Sequence, residues 1–228
     1  MDAEDYKKGQ VILIDKPLKW TSFQVVNKLR WAIRRKYKIK KIKVGHAGTL
    51  DPLATGLLII CTGKFTKTID TLQAEIKEYT GTITLGATTP SYDLETEINQ
   101  TFRTADINDE DIHKTAQLFV GVIEQTPPLY SAIKKDGIRL YELARKGEST
   151  TIKSRKITIH EFEITKIDMP NIYFRVLCSK GTYIRSLAND FGRALNNGAH
   201  LSALRRTKSG NYKVENAVDP LQFVENIV

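Results

Sequence analysis

The sequence has few cysteines and no long hydrophobic run, and each shortage excludes a class of protein. Its two cysteines, Cys61 and Cys178, stand in apolar stretches typical of buried strands, which predicts free thiols in a reducing compartment. Together with four scattered histidines they give no metal-ligand spacing, so we expect no metal site. No apolar run approaches the roughly 20 residues that cross a bilayer, and the acidic N-terminus lacks the layout of a signal peptide. These shortages predict a cytoplasmic protein without a membrane partner.

Acidic residues are scarce in one part of the chain. The net charge is +9 and the sequence pI is about 9.4, which favours a polyanionic partner. Residues 28–43 contain nine Lys or Arg side chains and no acid, with Trp31 and Tyr37 between them. Such a stretch can neutralise phosphates while its aromatic rings stack on bases. A solvated helix face followed by a flexible basic loop would have the same composition, so this stretch alone does not identify a nucleic-acid site.

Short strands and a few amphipathic helices follow one another without regular βαβ order. The patterns predict strands near residues 11–14, 57–61, 79–85, 156–167 and 172–178, and helices near 23–36, 109–120, 140–146 and 182–196. For the first helix we expect Ser22 as the N-cap and an inner stripe of Phe23, Val26, Leu29 or Arg30, and Ile33. The mixture predicts an α+β fold with a mixed, mainly antiparallel sheet flanked by helices and loops. Since no linker interrupts the chain, we expect a single domain over residues 1–228.

One short segment combines turn-forming residues with a single carboxylate. Residues 45–56 contain three glycines, one proline and Asp51. Glycine and proline disfavour helix and strand alike, and Pro52 pushes the backbone of Asp51 toward extended values. The apolar run 57–61 follows at once. The sequence therefore predicts a carboxylate on a loop anchored in the core, which is a common place for catalytic groups, although a turn-capping Asp would look the same in isolation.

The segment 45–56 resembles the catalytic motif of the TruB family of tRNA pseudouridine synthases. Five further blocks resemble that family in the same order: Ile14-Asp15-Lys16-Pro17, Lys77-Glu78-Tyr79, the run from Pro127 through Ala132 to Gly147, Ser179 to Arg185, and Gly198 to Leu201 with Leu204 to Arg206. Together the six blocks span about residues 11–208. This ordered set implies a pseudouridine synthase fold with an RNA-binding cleft across the sheet.

The resemblance assigns three residues to the chemistry. Asp51 matches the catalytic aspartate, and Arg185 matches the arginine that pairs with it. Tyr79 matches a tyrosine that stacks on the flipped base and assists removal of the C5 proton. If the two residues had only structural roles, Arg185 would be a surface residue at a helix start and Tyr79 a core aromatic.

Further residues are implied to bind the substrate. The matches at the base pocket are His46, Tyr183, Leu204, Lys16 and Lys77. His46 is implied to fill the space left by the flipped nucleotide, whereas Lys16 and Lys77 would contact phosphate or orient the pocket. The RNA-backbone candidates are Arg34, Arg35, Lys36, Lys38, Lys40, Lys41, Arg205 and Arg206. Leu204 also fits an ordinary core position, and Arg205 and Arg206 fit ordinary exposed ones.

Pseudouridine formation breaks the bond between C1′ and N1 of a uridine, turns the base and rejoins it through C5. No redox change occurs, so no cofactor is expected. The reaction needs a carboxylate, a base for the C5 proton and a pocket that keeps the detached uracil, and the target nucleotide must be flipped out of its stack. Whether Asp51 attacks C1′, adds to C6 or removes the 2′ proton stays open from the sequence.

Two departures from the family pattern stand out. Lys19 occupies a position where the family usually has glycine, so a positive φ there would strain the chain or change the turn. Residues 209–228 are too short for the C-terminal PUA domain that many members carry. On this basis we expect the catalytic domain alone to hold the RNA.

The sequence thus predicts an enzyme that converts the T-loop uridine, position 55, of tRNA to pseudouridine. The expected partner is the T arm of tRNA, with no protein partner required and a monomer as the default state. Two alternatives stay open: a non-catalytic RNA-binding or tRNA-folding protein on the same fold, and a guide-RNA-dependent pseudouridine synthase. A glycosidase is disfavoured, because it would need two catalytic acids.

Overall fold

The structure is a computed structural model that describes residues 2–131, 133–135, 137–148 and 150–227. Ala132 and Asp136, which belong to the family-like run from Pro127 to Gly147, lie outside this part of the chain. The described helices are α1 Ala3–Lys8, α2 Ser22–Lys36, α3 Ile69–Ala74, α4 Asp109–Leu118, α5 Leu140–Arg145, α6 Ile184–Ala194 and α7 Pro220–Ile227, with 3₁₀ helices at Gly63–Thr68 and Val214–Asn216.

The strands are mostly short. They are β1 Val11–Lys16, β2 Val44–Ala47, β3 Ala54–Thr62, β4 Lys77–Leu85, β5 Ala87–Thr88, β6 Gln100–Thr101, β7 Gly121–Gln125, β8 Lys134–Lys135, β9 Ile138–Arg139, β10 Arg155–Asp168, β11 Asn171–Cys178, β12 Ala199–Ser209 and β13 Tyr212–Lys213. Within the described residues, no helix is long and apolar enough to cross a bilayer.

The chain divides into two compact units. The first comprises the residues up to Thr80 together with those from Leu204 onward, and the second comprises Gly81–Ala203. The expectation of one catalytic domain over residues 1–228 therefore stays a prediction.

The first unit is built on a mixed set of strands. β3 pairs antiparallel with β1 and β2 but parallel with β12, in the register Leu204 to Ala54, and β13 pairs antiparallel with β12. Helices α2 and α7 pack on the β1 and β3 side chains, in a core that includes Ile14, Leu29 and Phe223. Since β3 is apolar on both faces, it lies at the centre of this unit.

In the second unit the strands lie in the order β4, β11, β10, β7, with β4 contributing its second half, and β10 pairs antiparallel with both β11 and β7. Four phenylalanines meet between α4, α6 and these strands: Phe162 makes edge-to-face contacts with Phe174 and Phe191, and Phe119 completes the cluster. The two units together confirm the predicted α+β class and the mixed, mainly antiparallel sheet flanked by helices.

Some helix boundaries differ from the predicted ones. Thr21, not Ser22, caps α2, because Thr21 and Gln24 form a reciprocal capping box. Val26, Leu29 and Ile33 are buried as predicted, whereas Phe23 is 62% exposed and Val25 is buried in its place. The predicted single extension 209–228 contains the helix α7, which sequence analysis missed.

Gly56 fixes how β3 and β12 approach each other. Its φ is +99°, and a Cβ at this position would collide with the backbone of Arg206 on β12. Gly121 has a similar φ of +109°, but no heavy atom of the described residues lies within 4 Å of the corresponding position.

These two glycines allow a controlled test of the parallel strand pair. We expect Gly56→Ala to lower the free energy of unfolding by about 3 kcal/mol, because it adds overpacking to backbone strain. Gly121→Ala adds strain alone and should cost about 1 kcal/mol. Denaturant unfolding of both variants measures the difference. Equal losses would contradict the close approach of β12 to Gly56.

Candidate active site

Asp51 is half-buried on the loop between β2 and β3, and hydrogen bonds hold this loop on both sides of it. On the N-terminal side, the Ser22 hydroxyl donates to the Leu50 carbonyl (3.0 Å) and accepts from the Leu50 amide (2.8 Å). On the C-terminal side, the Ala54 amide donates to the Asp51 carbonyl (3.0 Å). The backbone that carries the carboxylate is therefore fixed to the first turn of α2 and to the start of β3.

Lys19 contacts the same loop. Its amide donates to the Pro52 carbonyl at 2.8 Å. Its φ is +66°, in the left-handed region that favours glycine, so the lysine that replaces the usual glycine does bear the backbone strain considered above. Lys19 thus combines a left-handed backbone conformation with a hydrogen bond to the loop that carries Asp51.

Lys16 is fully buried at the end of β1. Its ammonium group donates to the carbonyls of Trp20 (2.6 Å), Pro17 (2.9 Å) and Pro52 (3.5 Å). A side chain held in this way ties together two turns, one of which carries Asp51. It has no exposed amine to offer a phosphate, so the structure favours the orienting role over the phosphate contact.

The environment of Lys16 disfavours its charge. Burial lowers the pKa of Lys16 from 10.5 to about 8, against an opposing effect of Asp51, and Arg206 lowers it further. Burial also lowers the pKa of His46, again with a contribution from Arg206. The His46 Nδ1 atom is buried and has no hydrogen-bond partner among the described residues. At neutral pH the site therefore combines the ammonium of Lys16 with a neutral His46 imidazole.

Arg206 requires a correction. It was predicted to contact the RNA backbone, or else to be an ordinary exposed residue, yet it is 1% exposed. Its guanidinium donates to the carbonyls of Leu57 (2.7 Å) and Gly48 (3.1 Å). Because a buried guanidinium committed to carbonyls cannot reach a phosphate, Arg206 instead holds the start of the Asp51 loop against β3.

Arg205, on the opposite face of β12, is partly exposed. It makes a two-pronged ion pair with Asp15 on β1, at 2.6 and 3.0 Å. Sequence analysis missed Asp15 as its partner, although Asp15 stands in the first family-like block. The contact of Arg205 with RNA stays a prediction.

Three other predicted residues of the first unit are placed as follows. Tyr79 is 9% exposed on β4, and Leu204 is half-buried on β12. Lys77 is buried, and its ammonium donates to the carbonyls of Gln73 and Glu75 (both 2.6 Å) at the end of α3. Lys77 thus caps a helix, which is a structural use that sequence analysis did not foresee.

The second unit holds Tyr183 and Arg185 at the start of α6. Arg185 is buried, with its Nε 3.6 Å from an Asp93 carboxylate oxygen and its Nη1 donating to the Ser91 carbonyl (3.2 Å). Gln125 exchanges two hydrogen bonds with the backbone of Tyr183 (2.8 and 3.1 Å). Sequence analysis missed Asp93 and Gln125, since neither stands in a family-like block. The pairing of Arg185 with Asp51 stays a prediction, because the two residues belong to different units.

The basic stretch forms a groove at the C-terminal end of α2. The groove has a volume of about 580 Å³, and its lining includes Arg30, Trp31, Arg34, Arg35, Lys38 and Lys40. Trp31 is 48% exposed, with the Arg35 guanidinium 5.1 Å and the Lys28 ammonium 5.8 Å from its ring centre. We call this the tryptophan groove. It brings together four of the predicted RNA-backbone residues, whereas Lys36 and Lys41 are exposed beside it.

Comparison with known proteins identifies the family. The profile of the TruB family pseudouridylate synthase N-terminal domain matches residues 34–184, and that of the tRNA pseudouridylate synthase B C-terminal domain matches residues 185–227. The chain belongs to the TruB family. Membership confirms the predicted pseudouridine synthase fold.

Curated TruB family relatives match the chain over nearly its whole length. The tRNA pseudouridine synthase B of Flavobacterium johnsoniae is 66% identical over 228 residues, which is 100% of both chains. That of Phocaeicola vulgatus is 55% identical over 97% of this chain and 94% of the relative.

Solved structures are similar in fold. The chain resembles one in a Cbf5–Nop10–Gar1 complex with a TM-score of 0.70 and 32% identity over 96% of its length. For the archaeal box H/ACA sRNP Nop10–Cbf5 complex the TM-score is 0.69 and the identity 28% over 97%. The chain spans about half the length of each of these solved chains, 54% in both cases.

The buried ammonium of Lys16 predicts a pH dependence of stability. Its folded pKa of about 8 lies below the unfolded value of 10.5, so between these pH values the unfolded chain binds more protons. The free energy of unfolding should therefore rise with pH from about 8 to 10.5, relative to a Lys16→Met variant that lacks this group. Denaturant unfolding of both proteins at several pH values measures the difference, and a flat or falling difference would contradict the buried charge.

Proposed function

We propose that this chain is a tRNA pseudouridine synthase that converts the T-loop uridine at position 55 of tRNA to pseudouridine. The observation that carries the proposal is the 66% identity, over the whole chain, to a protein named tRNA pseudouridine synthase B. The Asp51 loop supports it, because a carboxylate fixed by hydrogen bonds on both sides is suited to a reaction that demands one defined position.

The chemistry balances without an added reagent. The bond between C1′ and N1 breaks, the uracil turns, and a bond forms between C1′ and C5; C5 loses a proton and N1 gains one. Asp51 supplies the carboxylate that acts on the nucleotide. Lys16 and Arg206 act as positioning residues, since their bonds to Pro52 and Gly48 hold the loop on either side of Asp51.

We assign to the other predicted residues the roles that the family resemblance implies. Tyr79 offers a ring for stacking on the flipped uracil and takes part in removal of the C5 proton. Tyr183 and Leu204 line the base pocket, and neutral His46 fills the space that the nucleotide leaves. By the resemblance to the family, we assign to Arg185 the pairing with Asp51.

The tryptophan groove supports a tRNA substrate. Exposed cations around an exposed indole ring can contact phosphates and stack on an unpaired base. We also propose that the protein acts in the cytoplasm, as a monomer, without a cofactor or a protein partner.

Asp51→Asn tests the reaction and its key residue together. The change removes the charge but little volume, so folding and tRNA binding should survive while pseudouridine formation falls at least 10³-fold, about 4 kcal/mol of lost transition-state stabilisation. The measurement is position-mapped pseudouridine formation in unmodified tRNA without a guide RNA. Asp70→Asn, which changes an exposed acid on α3, is the matched control and should retain full activity.

The outcomes of this test separate the alternatives. Modification at the T-loop uridine alone, lost in Asp51→Asn, is the expected result. Wild-type protein that binds tRNA without modifying it would support the non-catalytic alternative. Activity only after addition of a guide RNA would support the guide-dependent one.

The tryptophan groove gives a second prediction. We expect Lys38→Glu/Lys40→Glu to raise the KM for tRNA about tenfold or more with little change in kcat, and to reduce the slope of log affinity against log salt by about two. The matched control is Lys114→Glu/Lys166→Glu, which changes the net charge equally at two exposed, ion-paired lysines. Equal effects of the two double variants would contradict a specific role for the groove.

A further inference from the structure

A second basic groove lies in the first unit, and no predicted site accounts for it. Five lysines from three separate segments line a cavity of about 260 Å³: Lys7 from α1, Lys41 and Lys43 from the loop before β2, and Lys64 and Lys67 from the 3₁₀ helix. We call this the lysine groove. All five side chains are exposed. Only Lys41 belongs to the set of RNA-backbone candidates.

The backbone holds the three segments in place. A Cβ on Gly63 would collide with the carbonyls of Tyr6 and Lys7, so the start of the 3₁₀ helix lies directly against the end of α1. The Gly63 amide donates to the Lys43 carbonyl (2.9 Å), and the Thr62 hydroxyl donates to the Tyr6 carbonyl (2.9 Å). The lysines converge because their backbones are fixed, and the arrangement does not depend on a chance position of flexible side chains.

The positive charge of the lysine groove is largely uncompensated. Lys7 forms an ion pair with Glu4 at 2.7 Å. Within the described part of the chain, Lys41, Lys43, Lys64 and Lys67 form no ion pair with an acid. Gathering like charges without counter-charges costs free energy, which a bound polyanion would recover.

The lysine groove also adjoins the tryptophan groove. The same loop contributes Lys38 and Lys40 to one and, starting at the next residue, Lys41 and Lys43 to the other. Two adjacent grooves of one charge fit a partner with repeated negative charges, such as a nucleic-acid backbone, better than a single small anion.

The lysine groove is remote from Asp51. Strand β3 begins at Ala54, whose amide donates a hydrogen bond to the Asp51 carbonyl. It ends at Thr62, beside Gly63 of the groove. Nine residues of strand place the groove about 25 Å from the reacting carboxylate. This distance spans several base-pair steps of an RNA duplex, so the groove lies well beyond the immediate neighbours of a uridine held at Asp51.

We infer that the lysine groove binds the phosphate backbone of tRNA outside the T arm, about 25 Å from the reacting uridine. The inference rests on the proposed tRNA substrate and extends it. The enzyme then contacts its substrate at two places, one that reacts and one that recognises the larger tRNA. Because each lysine acts as a point charge, this second contact depends on charge and not on base sequence.

The test measures how the double variant Lys64→Gln/Lys67→Gln changes the binding of two RNAs. The probes are a full-length unmodified tRNA and a hairpin that consists of the T arm alone. For the full-length tRNA we expect the Kd to rise about tenfold and the salt slope to fall by about two, since each lysine accounts for about one. For the hairpin we expect binding and turnover to change less than about twofold.

Two controls accompany the double variant. Lys114→Gln/Lys166→Gln lowers the net charge by the same amount at ion-paired lysines and should leave both RNAs unaffected. Lys64→Arg/Lys67→Arg keeps the charge and should restore tRNA affinity, which a merely structural defect would not allow.

Two results would overturn the inference. One is an equal loss of affinity for the hairpin and the full-length tRNA, which would place the contact within the T arm. The other is a Kd and salt slope for full-length tRNA that match the control, which would leave the groove without an RNA ligand. Inactivity of wild-type protein on both RNAs would instead reject the proposed function, and direct binding measurements would still decide the role of the groove.

Discussion

The loop that carries Asp51 depends on buried cations that bind its carbonyl groups. Glycine and proline prevent the loop from forming regular structure, so its backbone oxygens need other partners once they are buried. Arg206 binds Gly48 and Lys16 binds Pro52, one on each side of the carboxylate. Each contact joins the loop to a strand, β12 or β1, that is itself paired with β3. The position of Asp51 is thus set by the core of the first unit and not by the loop alone.

Basic residues serve two distinct physical purposes in this chain. Lys16 and Arg206 are withdrawn from water, which is costly unless every donor finds a partner, and they organise backbone. The cations of the tryptophan and lysine grooves are exposed, with few acids beside them, and they create a surface potential. A net charge of +9 describes both kinds together and distinguishes neither. The buried kind stabilises the site, while the exposed kind attracts the substrate.

The sequence predicted the fold best where one local signal dominated. The apolar run at 57–61 is typical of a buried strand and lies in β3, and the acids after Asn108 correctly located the start of α4. The predicted helix boundaries were wrong where two neighbouring residues could both act as the N-cap. Thr21 and Ser22 are both good N-caps, and the choice depended on the contact of Ser22 with Leu50. Helix α7 was missed because its apolar pattern is short, and the packing of Phe223 against α2 is what stabilises it.

By itself the sequence determined the family, the segment that bears Asp51 and the basic character of residues 28–43, because these depend on residue order and composition. The sequence did not distinguish Arg205 from Arg206, both of which were predicted to contact the RNA backbone. Only the tertiary structure decided which of them is buried, since that depends on the side of β12 that meets β3 and Gly48. It also decided that lysines from three separate segments converge in one groove, because long-range backbone contacts at Gly63 bring those segments together. Local signals depend on neighbouring residues. The burial of Arg206 and the convergence of the lysines depend on contacts between residues far apart in the chain.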